Sequence, residues 1–122
     1  MWRKYQKPLE DMLGLVGRLK KGYRTAALAN SGREWIDFKI KKYKLEAFFE
    51  LIVNSGYAGL AKPDPKIYKL VVQTLKVNPI ECLFVDDQKG NLLPAKKLGM
   101  ETILFKGQKD LEIKLRKLGL KF

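Results

Sequence analysis

The sequence contains no histidine and only one cysteine, and these two scarcities narrow the chemistry open to it. Without histidine the chain has no Ser-His or Cys-His nucleophile pair, no imidazole acid or base and no histidine metal ligand. Cys82 alone forms neither an internal disulfide nor a zinc finger. Any catalysis by this chain must therefore use carboxylates, lysines, hydroxyls or the backbone.

The sequence also lacks a long apolar run, because no stretch approaches the roughly 18 residues that a membrane-spanning helix needs. The first ten residues are basic but lack the apolar core of a secretory signal. We therefore expect a soluble, cytoplasmic protein in a reducing environment, without a membrane partner. At 122 residues, of which 46% are apolar, the chain suits one domain over residues 1–122 with a packed core.

Acidic residues are few, since 13 Asp and Glu stand against 25 Lys and Arg, for a formal net charge of +12. Such a charge suits either an acidic partner, such as nucleic acid, or a lysine-rich solvated surface. Lysine outnumbers arginine 20 to 5, whereas recognition of bases and phosphates favours arginine. We therefore do not expect a nucleic-acid partner. A non-catalytic basic α/β module that binds a partner or nucleic acid is kept as the alternative function.

What the sequence does have is a regular alternation of helical and strand patterns. Helices are predicted over 8–21, 33–43, 65–75, 91–98 and 110–118, and strands over 23–29, 51–53, 82–85 and 102–105. Short buried strands that alternate with helices predict a parallel α/β sheet with both faces covered. Ligands bind such sheets at the carboxyl ends of the strands. That rule selects Asn30-Ser31, the loop at Lys62 and the pair Asp86-Asp87.

Each of these three places has an ordinary explanation beside a functional one. Asp86 and Asp87 repel each other unless a cation such as Mg²⁺ neutralises them, although one of them could instead cap the next helix. Lys62, on a loop with two prolines, suits a phosphate but could be an ordinary surface lysine. Asn30 and Ser31 precede a helix and could bind an anion, or Ser31 could simply be its N-cap. Together the three places would surround one phosphoryl group with positive charge and donors.

Three segments carry a resemblance to a known family: LANSGREW (28–35), GLAKPDPKIYKLVVQTL (59–75) and FVDDQKGNLLPAKKLGMETILF (84–105). They resemble the haloacid dehalogenase (HAD) superfamily, most closely the phosphatase-type domain at the N-terminus of soluble epoxide hydrolases. The resemblance implies a three-layer, Rossmann-like parallel sheet and a Mg²⁺-dependent hydrolase of a small phosphorylated molecule. It also implies a catalytic role for Lys62 (motif III), metal binding by Asp86 and Asp87 (motif IV), and phosphate contacts near Asn30 and Ser31 (motif II).

The sequence departs from the family pattern at two places. Ala29 stands where motif II has Ser or Thr, so a phosphate-binding hydroxyl is missing unless Ser31 replaces it. The DxDx[T/V] run of motif I, which in the family carries the nucleophile on the central first strand, occurs nowhere in the 122 residues. We therefore expect an incomplete HAD-type sheet that lacks the central first strand and the cap. The expected phosphatase activity is negligible, with a weak Mg²⁺ site or none.

The missing strand also has a consequence for partners. In the family it lies between the strands that match 23–29 and 82–85, so its absence leaves backbone groups unpaired. Either those two strands pair directly, or the chain forms a homo-oligomer or binds a complement of the missing half, and we expect that the chain is not a monomer. A receiver-like phosphorylation domain is excluded, because receivers place the acidic pair first and the lysine last.

Overall fold

The computed structural model describes residues 6–122, so the first five residues of the domain expected over residues 1–122 lie outside this range. At least one helix separates each strand from the next along the chain. In order they are α1 (Gln6–Leu19), β1 (Ala26–Ala29), α2 (Arg33–Tyr43), β2 (Leu51–Asn54), α3 (Ser55–Ala58), α4 (Pro65–Leu75), β3 (Leu83–Asp86), α5 (Lys89–Leu98), β4 (Glu101–Leu104) and α6 (Gln108–Lys117). Across residues 6–122, no helix is long and apolar enough to cross a membrane.

The four strands form two separate parallel pairs. β1 pairs with β2 from Ala26 opposite Leu51 to Ala29 opposite Asn54. β3 pairs with β4 from Leu83 opposite Glu101 to Asp86 opposite Leu104. Within residues 6–122, no ladder of main-chain hydrogen bonds joins one pair to the other. The predicted α/β fold with an incomplete parallel sheet is therefore confirmed.

Both strand pairs pack on one apolar core. Leu28 of β1 and Phe84 of β3 contact the same cluster of buried residues. The cluster consists of Val53, Ile67, Tyr68, Val72, Ala95 and Met100. A second cluster on Leu15, Ile103, Leu111 and Leu115 takes in Leu83 and Val85 of β3. Because β1 and β3 share a core but no hydrogen bonds, the sheet is interrupted between them.

The observed elements follow the predicted ones with small shifts at the ends. α2 and α4 have the predicted bounds, whereas β3 runs one residue later than predicted and so includes Asp86. β1 is shorter than predicted, since it begins at Ala26 rather than at residue 23. The shift in β3 matters for function, because it places the Asp86 side chain on the sheet itself rather than on a loop.

One lysine of α2 is buried although its neighbours are exposed. Lys39 is 3% exposed, and its Nζ lies 5.0 Å from the centre of the Trp35 ring. Burial lowers the pKa of Lys39 to about 8. Lys41 and Lys42 remain in solvent. The net charge of the sequence is thus mostly, but not wholly, a surface property.

Candidate functional site

Polar side chains collect where the strands end. Asn30 directly follows β1, Asn54 is the last residue of β2, and Asp86 is the last residue of β3. The loop that contains Lys62 leads from α3 to α4 and contacts both strand pairs. The carboxyl ends of parallel strands are where α/β sheets bind ligands, so this edge is the candidate site.

Asn30 holds the main chain of Lys62 through two reciprocal hydrogen bonds. Its Nδ2 donates to the Lys62 carbonyl oxygen at 2.9 Å, and its Oδ1 accepts from the Lys62 N–H at 2.9 Å. The amide group of Asn30 is thereby engaged on both sides. A direct contact of Asn30 with phosphate stays a prediction, and its observed contacts position Lys62.

Lys62 reaches across the gap in the sheet to Asp86. Its Nζ donates to Asp86 Oδ2 at 2.8 Å, and the side chains are only 12% and 6% exposed. Lys62 is therefore not an ordinary surface lysine. An ammonium group has three N–H donors, so this bond leaves further donors for an anion. The loop thus presents a fixed positive charge at the edge of the sheet.

Asp86 is held from three directions. Its Oδ1 accepts from the Gln88 N–H at 2.9 Å, and Asn91 Nδ2 lies 3.3 Å from each carboxylate oxygen. Burial raises the pKa of Asp86, but the bonds from Lys62, Gln88 and Asn91 lower it by more, so it lies below its ordinary value. The Asp86 carboxylate is therefore charged at neutral pH.

Asn91 and Tyr68 belong to this arrangement but were missed by sequence reasoning. Asn91 is 8% exposed, and its carbonyl oxygen accepts from the Tyr68 hydroxyl at 2.5 Å. Tyr68 is 1% exposed and lies in the first core cluster. One feature of the sequence could have identified Asn91: it is a polar residue in the first turns of α5, five positions after Asp86. These contacts tie the carboxylate to the core.

Asp87 is exposed beside Asp86. Partial burial and then the hydrogen bond and charge of Asp86 raise the pKa of Asp87 above its ordinary value. Neither aspartate is the N-cap of α5, because that position is Gln88. The Asp86 carboxylate accepts from the Gln88 N–H, which precedes the first helical residue. Capping of the next helix therefore does not explain the pair. The two carboxylates therefore lie together at this edge, that of Asp86 engaged by its neighbours and that of Asp87 exposed.

The carboxylates of Asp86 and Asp87 are the type of ligand that Mg²⁺ prefers. Mg²⁺ is usually held by one or two carboxylates together with water and phosphate oxygens, and Asp86 and Asp87 supply two. Among the side chains that the structure describes, those of residues 11–122, no group of three or more Asp, Glu, Cys or His could hold a metal, so this pair supplies two protein ligands and not three. The Lys62 ammonium already neutralises part of the charge on Asp86, which weakens the attraction for a cation.

The main chain of Ser31 contacts α3. Its N–H donates to Ser55 Oγ at 2.9 Å, and that hydroxyl donates to the Ser31 carbonyl oxygen at 3.3 Å. The N-cap of α2 is Gly32, so the interpretation of Ser31 as a simple N-cap is wrong. A phosphate contact by Ser31 remains a prediction, and its Oγ donates only a long bond of 3.4 Å to the Gly32 carbonyl.

Gly56 permits the close contact between α3 and the loop after β1. A Cβ at this position would lie 2.8 Å from the Arg33 nitrogen and 2.9 Å from the Ser31 carbonyl oxygen. The Gly56 N–H donates to that same oxygen at 3.1 Å. No side chain fits there, so glycine sets how closely the loop and α3 approach each other.

Comparison with known proteins places the chain in a family. Residues 3–99 match the family model of the haloacid dehalogenase-like hydrolases. Bifunctional epoxide hydrolase 2 of Sus scrofa is 39% identical over 106 residues, which cover 81% of this chain and 18% of that protein. The glyceraldehyde 3-phosphate phosphatase of Pyrococcus furiosus is 36% identical over 102 residues, which cover 80% of this chain and 42% of that protein. The chain thus spans less than half of either relative.

Solved structures of the family share the fold. A HAD family enzyme from Bacteroides thetaiotaomicron, in complex with magnesium and inorganic phosphate, superposes with a TM-score of 0.79 and 28% identity over 88% of this chain and 57% of that one. This match agrees with the family model and with the relatives. The chain therefore belongs to the haloacid dehalogenase-like hydrolases.

Proposed function

We propose that this chain supplies the lysine and the paired carboxylates of a Mg²⁺-dependent phosphomonoester hydrolase. The observation that carries the proposal is the buried Lys62–Asp86 ion pair, which lies between the carboxyl ends of β1 and β3. The relatives named as phosphatases support it, and they do not favour the alternative of a non-catalytic basic module. A cytoplasmic location stays part of this proposal.

Lys62 and its support supply positioning and charge. With its main chain held by Asn30 and its ammonium oriented by Asp86, Lys62 loses little freedom when it binds a phosphate oxygen. Asp86 and Asp87 are the residues that would hold Mg²⁺, and the bound ion would neutralise negative charge on the phosphoryl group. Fixed charges of this kind are the main requirement of phosphoryl transfer.

The chain has no recognisable nucleophile of its own. Its six aspartates include no DxD pair, and no third carboxylate joins Asp86 and Asp87 among the side chains that the structure describes. We infer that the isolated chain is catalytically incomplete and that the missing carboxylates come from a strand of another segment. The interruption between β1 and β3 suits such a strand, since both strands lack a neighbour on one side within residues 6–122.

Two measurements test this function. Isothermal titration with inorganic phosphate in the presence of Mg²⁺ is expected to show binding that Lys62→Met abolishes, whereas Lys66→Met, a change at an exposed lysine of α4, leaves it intact. Phosphate binding that is the same in both variants would refute the assignment of Lys62.

Hydrolysis of p-nitrophenyl phosphate tests the inference that the isolated chain is catalytically incomplete. The chain alone is expected to give no turnover above the uncatalysed rate. Turnover that disappears in Asp86→Asn would show that the chain is a complete enzyme and would contradict the inference about the missing nucleophile.

A further inference from the structure

Hydrogen bonds from two side chains join the two halves of the interrupted sheet near the candidate site. No main-chain ladder links β1 to β3 within residues 6–122. The segment that runs from the Lys62 loop into α4 nevertheless bonds to β3 at Lys62–Asp86 and to α5 at Tyr68–Asn91. The distance between the Lys62 ammonium and the Asp86 carboxylate therefore depends on how α4 packs against β3 and α5.

Tyr68, in the second turn of α4, is held both by its ring and by its hydroxyl. Its buried ring meets the ring of Phe84, a residue of β3, edge to face, with centroids 5.3 Å apart and planes at 69°. Its hydroxyl donates to the Asn91 carbonyl oxygen at 2.5 Å. Burial and then the charge of Asp86 raise the pKa of Tyr68 to about 12, so the hydroxyl keeps its proton and remains a donor at neutral pH.

Asn91 connects this hydroxyl to the ion pair. Its main chain accepts from Tyr68, and its side-chain Nδ2 lies 3.3 Å from both oxygens of Asp86. Asp86 Oδ2 in turn accepts from Lys62 Nζ at 2.8 Å. A shift of α5 relative to α4 would therefore move the Asn91 amide and, with it, the carboxylate that orients the ammonium. Outer partners of this kind orient the groups that bind a ligand.

Building on the hydrolase function proposed above, we propose that Tyr68 is a positioning residue of the site. Its hydroxyl holds the start of α5 against α4 and, through Asn91, keeps the Asp86 carboxylate within hydrogen-bonding distance of Lys62 Nζ. Tyr68 thus acts on the groups proposed to bind phosphate and Mg²⁺, and not on the phosphate itself.

The environment of the Lys62 ammonium can be measured without any ligand. A buried, ion-paired ammonium exchanges its protons slowly with water, so its ¹H–¹⁵N signal is observable, and the signal that is lost in Lys62→Met belongs to Lys62. Tyr68→Phe removes the hydroxyl and keeps the ring, and we expect it to shift or broaden this signal. Thr74→Val is the matched control, because it removes another hydroxyl of α4, one that donates to the Leu70 carbonyl oxygen at 2.7 Å. It should leave the Lys62 signal unchanged.

Titration calorimetry with inorganic phosphate in the presence of Mg²⁺ measures the consequence for binding. Removal of an outer partner typically weakens a metal site tenfold or more. We therefore expect phosphate to bind about tenfold more weakly to Tyr68→Phe than to the wild-type chain, and with unchanged affinity to Thr74→Val.

Asn91→Ala tests the route by which Tyr68 acts. It removes the amide that contacts Asp86 and keeps the carbonyl that accepts from Tyr68. In this background Tyr68→Phe is expected to weaken phosphate binding no further, because the connection to Asp86 is already broken. Losses of affinity that add in the double variant would mean that Tyr68 acts through general packing, which would contradict the proposal.

The outcomes separate the positioning role from the hydrolase function. If the wild-type chain binds no phosphate, or if Lys62→Met binds it equally well, the hydrolase function fails, whereas the Lys62 signal still tests Tyr68. An unchanged signal in a folded Tyr68→Phe chain overturns the positioning role, and so does an equal shift in Thr74→Val. If Tyr68→Phe does not fold, an unchanged Lys62 signal in Asn91→Ala overturns it instead.

Discussion

At the scale of single residues, the Lys62–Asp86 pair decides the character of the site. Both side chains are nearly buried, so neither charge can be compensated by water if its partner is removed. The same pair lowers the pKa of Asp86 and orients the Lys62 ammonium. We therefore expect stability and the proposed phosphate binding to depend on the same two side chains.

Lys62→Met is expected to destabilise the chain because it leaves the Asp86 carboxylate buried without its counter-charge. Breaking a buried ion pair costs about 3 kcal/mol in the free energy of unfolding. Urea denaturation followed by circular dichroism measures it. The double variant Lys62→Met/Asp86→Asn is expected to recover part of the loss, and a double variant as unstable as Lys62→Met alone would show that the charge is not the cause.

The same variant is expected to bind Mg²⁺ more tightly, because the ammonium no longer neutralises Asp86. Titration calorimetry with MgCl₂ at neutral pH compares it with the wild-type chain. Asp87→Asn in the Lys62→Met background is the control, and it should remove the gain. An affinity that falls in Lys62→Met would mean that the two carboxylates do not hold the metal.

Lys39 makes stability depend on pH in the alkaline range. Because burial lowers its pKa to about 8, the folded chain releases the Lys39 proton at lower pH than the unfolded chain does. The unfolded chain then binds more protons, so stability rises between about pH 8 and the ordinary lysine value of 10.5. Urea midpoints across this range should rise less in Lys39→Met than in the wild-type chain. Parallel curves for the two chains would contradict the lowered pKa.

At the scale of elements, Gly56 fixes the distance between α3 and the start of α2. Gly56→Ala would place a Cβ within 3.0 Å of three polar atoms, and such crowding costs typically 1–3 kcal/mol. Gly14→Ala is the matched control, because Gly14 lies inside α1 with nothing within 4 Å of its Cβ position. That change should stabilise the helix by about 0.5–1 kcal/mol. Thermal unfolding of the two variants should therefore shift in opposite directions.

Sequence patterns identify these elements well but not the contacts between them. Asp64 and Pro65 predict the start of α4, and the Asp64 side chain does accept from the Lys66 N–H at its first turn. The position of Asn91 beneath Asp86 was not predictable, because it depends on how α5 packs against β3. Nor does the helical pattern of α2 reveal that Lys39 is buried beside Trp35, since lysine side chains are normally exposed to solvent.

At the scale of the whole molecule, the interrupted sheet predicts self-association. β1 and β3 each have one edge without a strand neighbour within residues 6–122, and such edges readily pair with other chains. Light scattering coupled to size exclusion is expected to give a mass that is a multiple of 14.1 kDa and that falls on dilution. A single 14.1 kDa species at every concentration would contradict this prediction.

The contacts that build the site also bear on the order of events during folding. Asn30 and Lys62 are 32 positions apart and Lys62 and Asp86 are 24 apart, whereas helical contacts span only three or four. Closing such long loops costs entropy before any contact compensates for it. We therefore expect helix formation to precede completion of the site, so that a newly made chain acquires its helical signal before the proposed anion site forms.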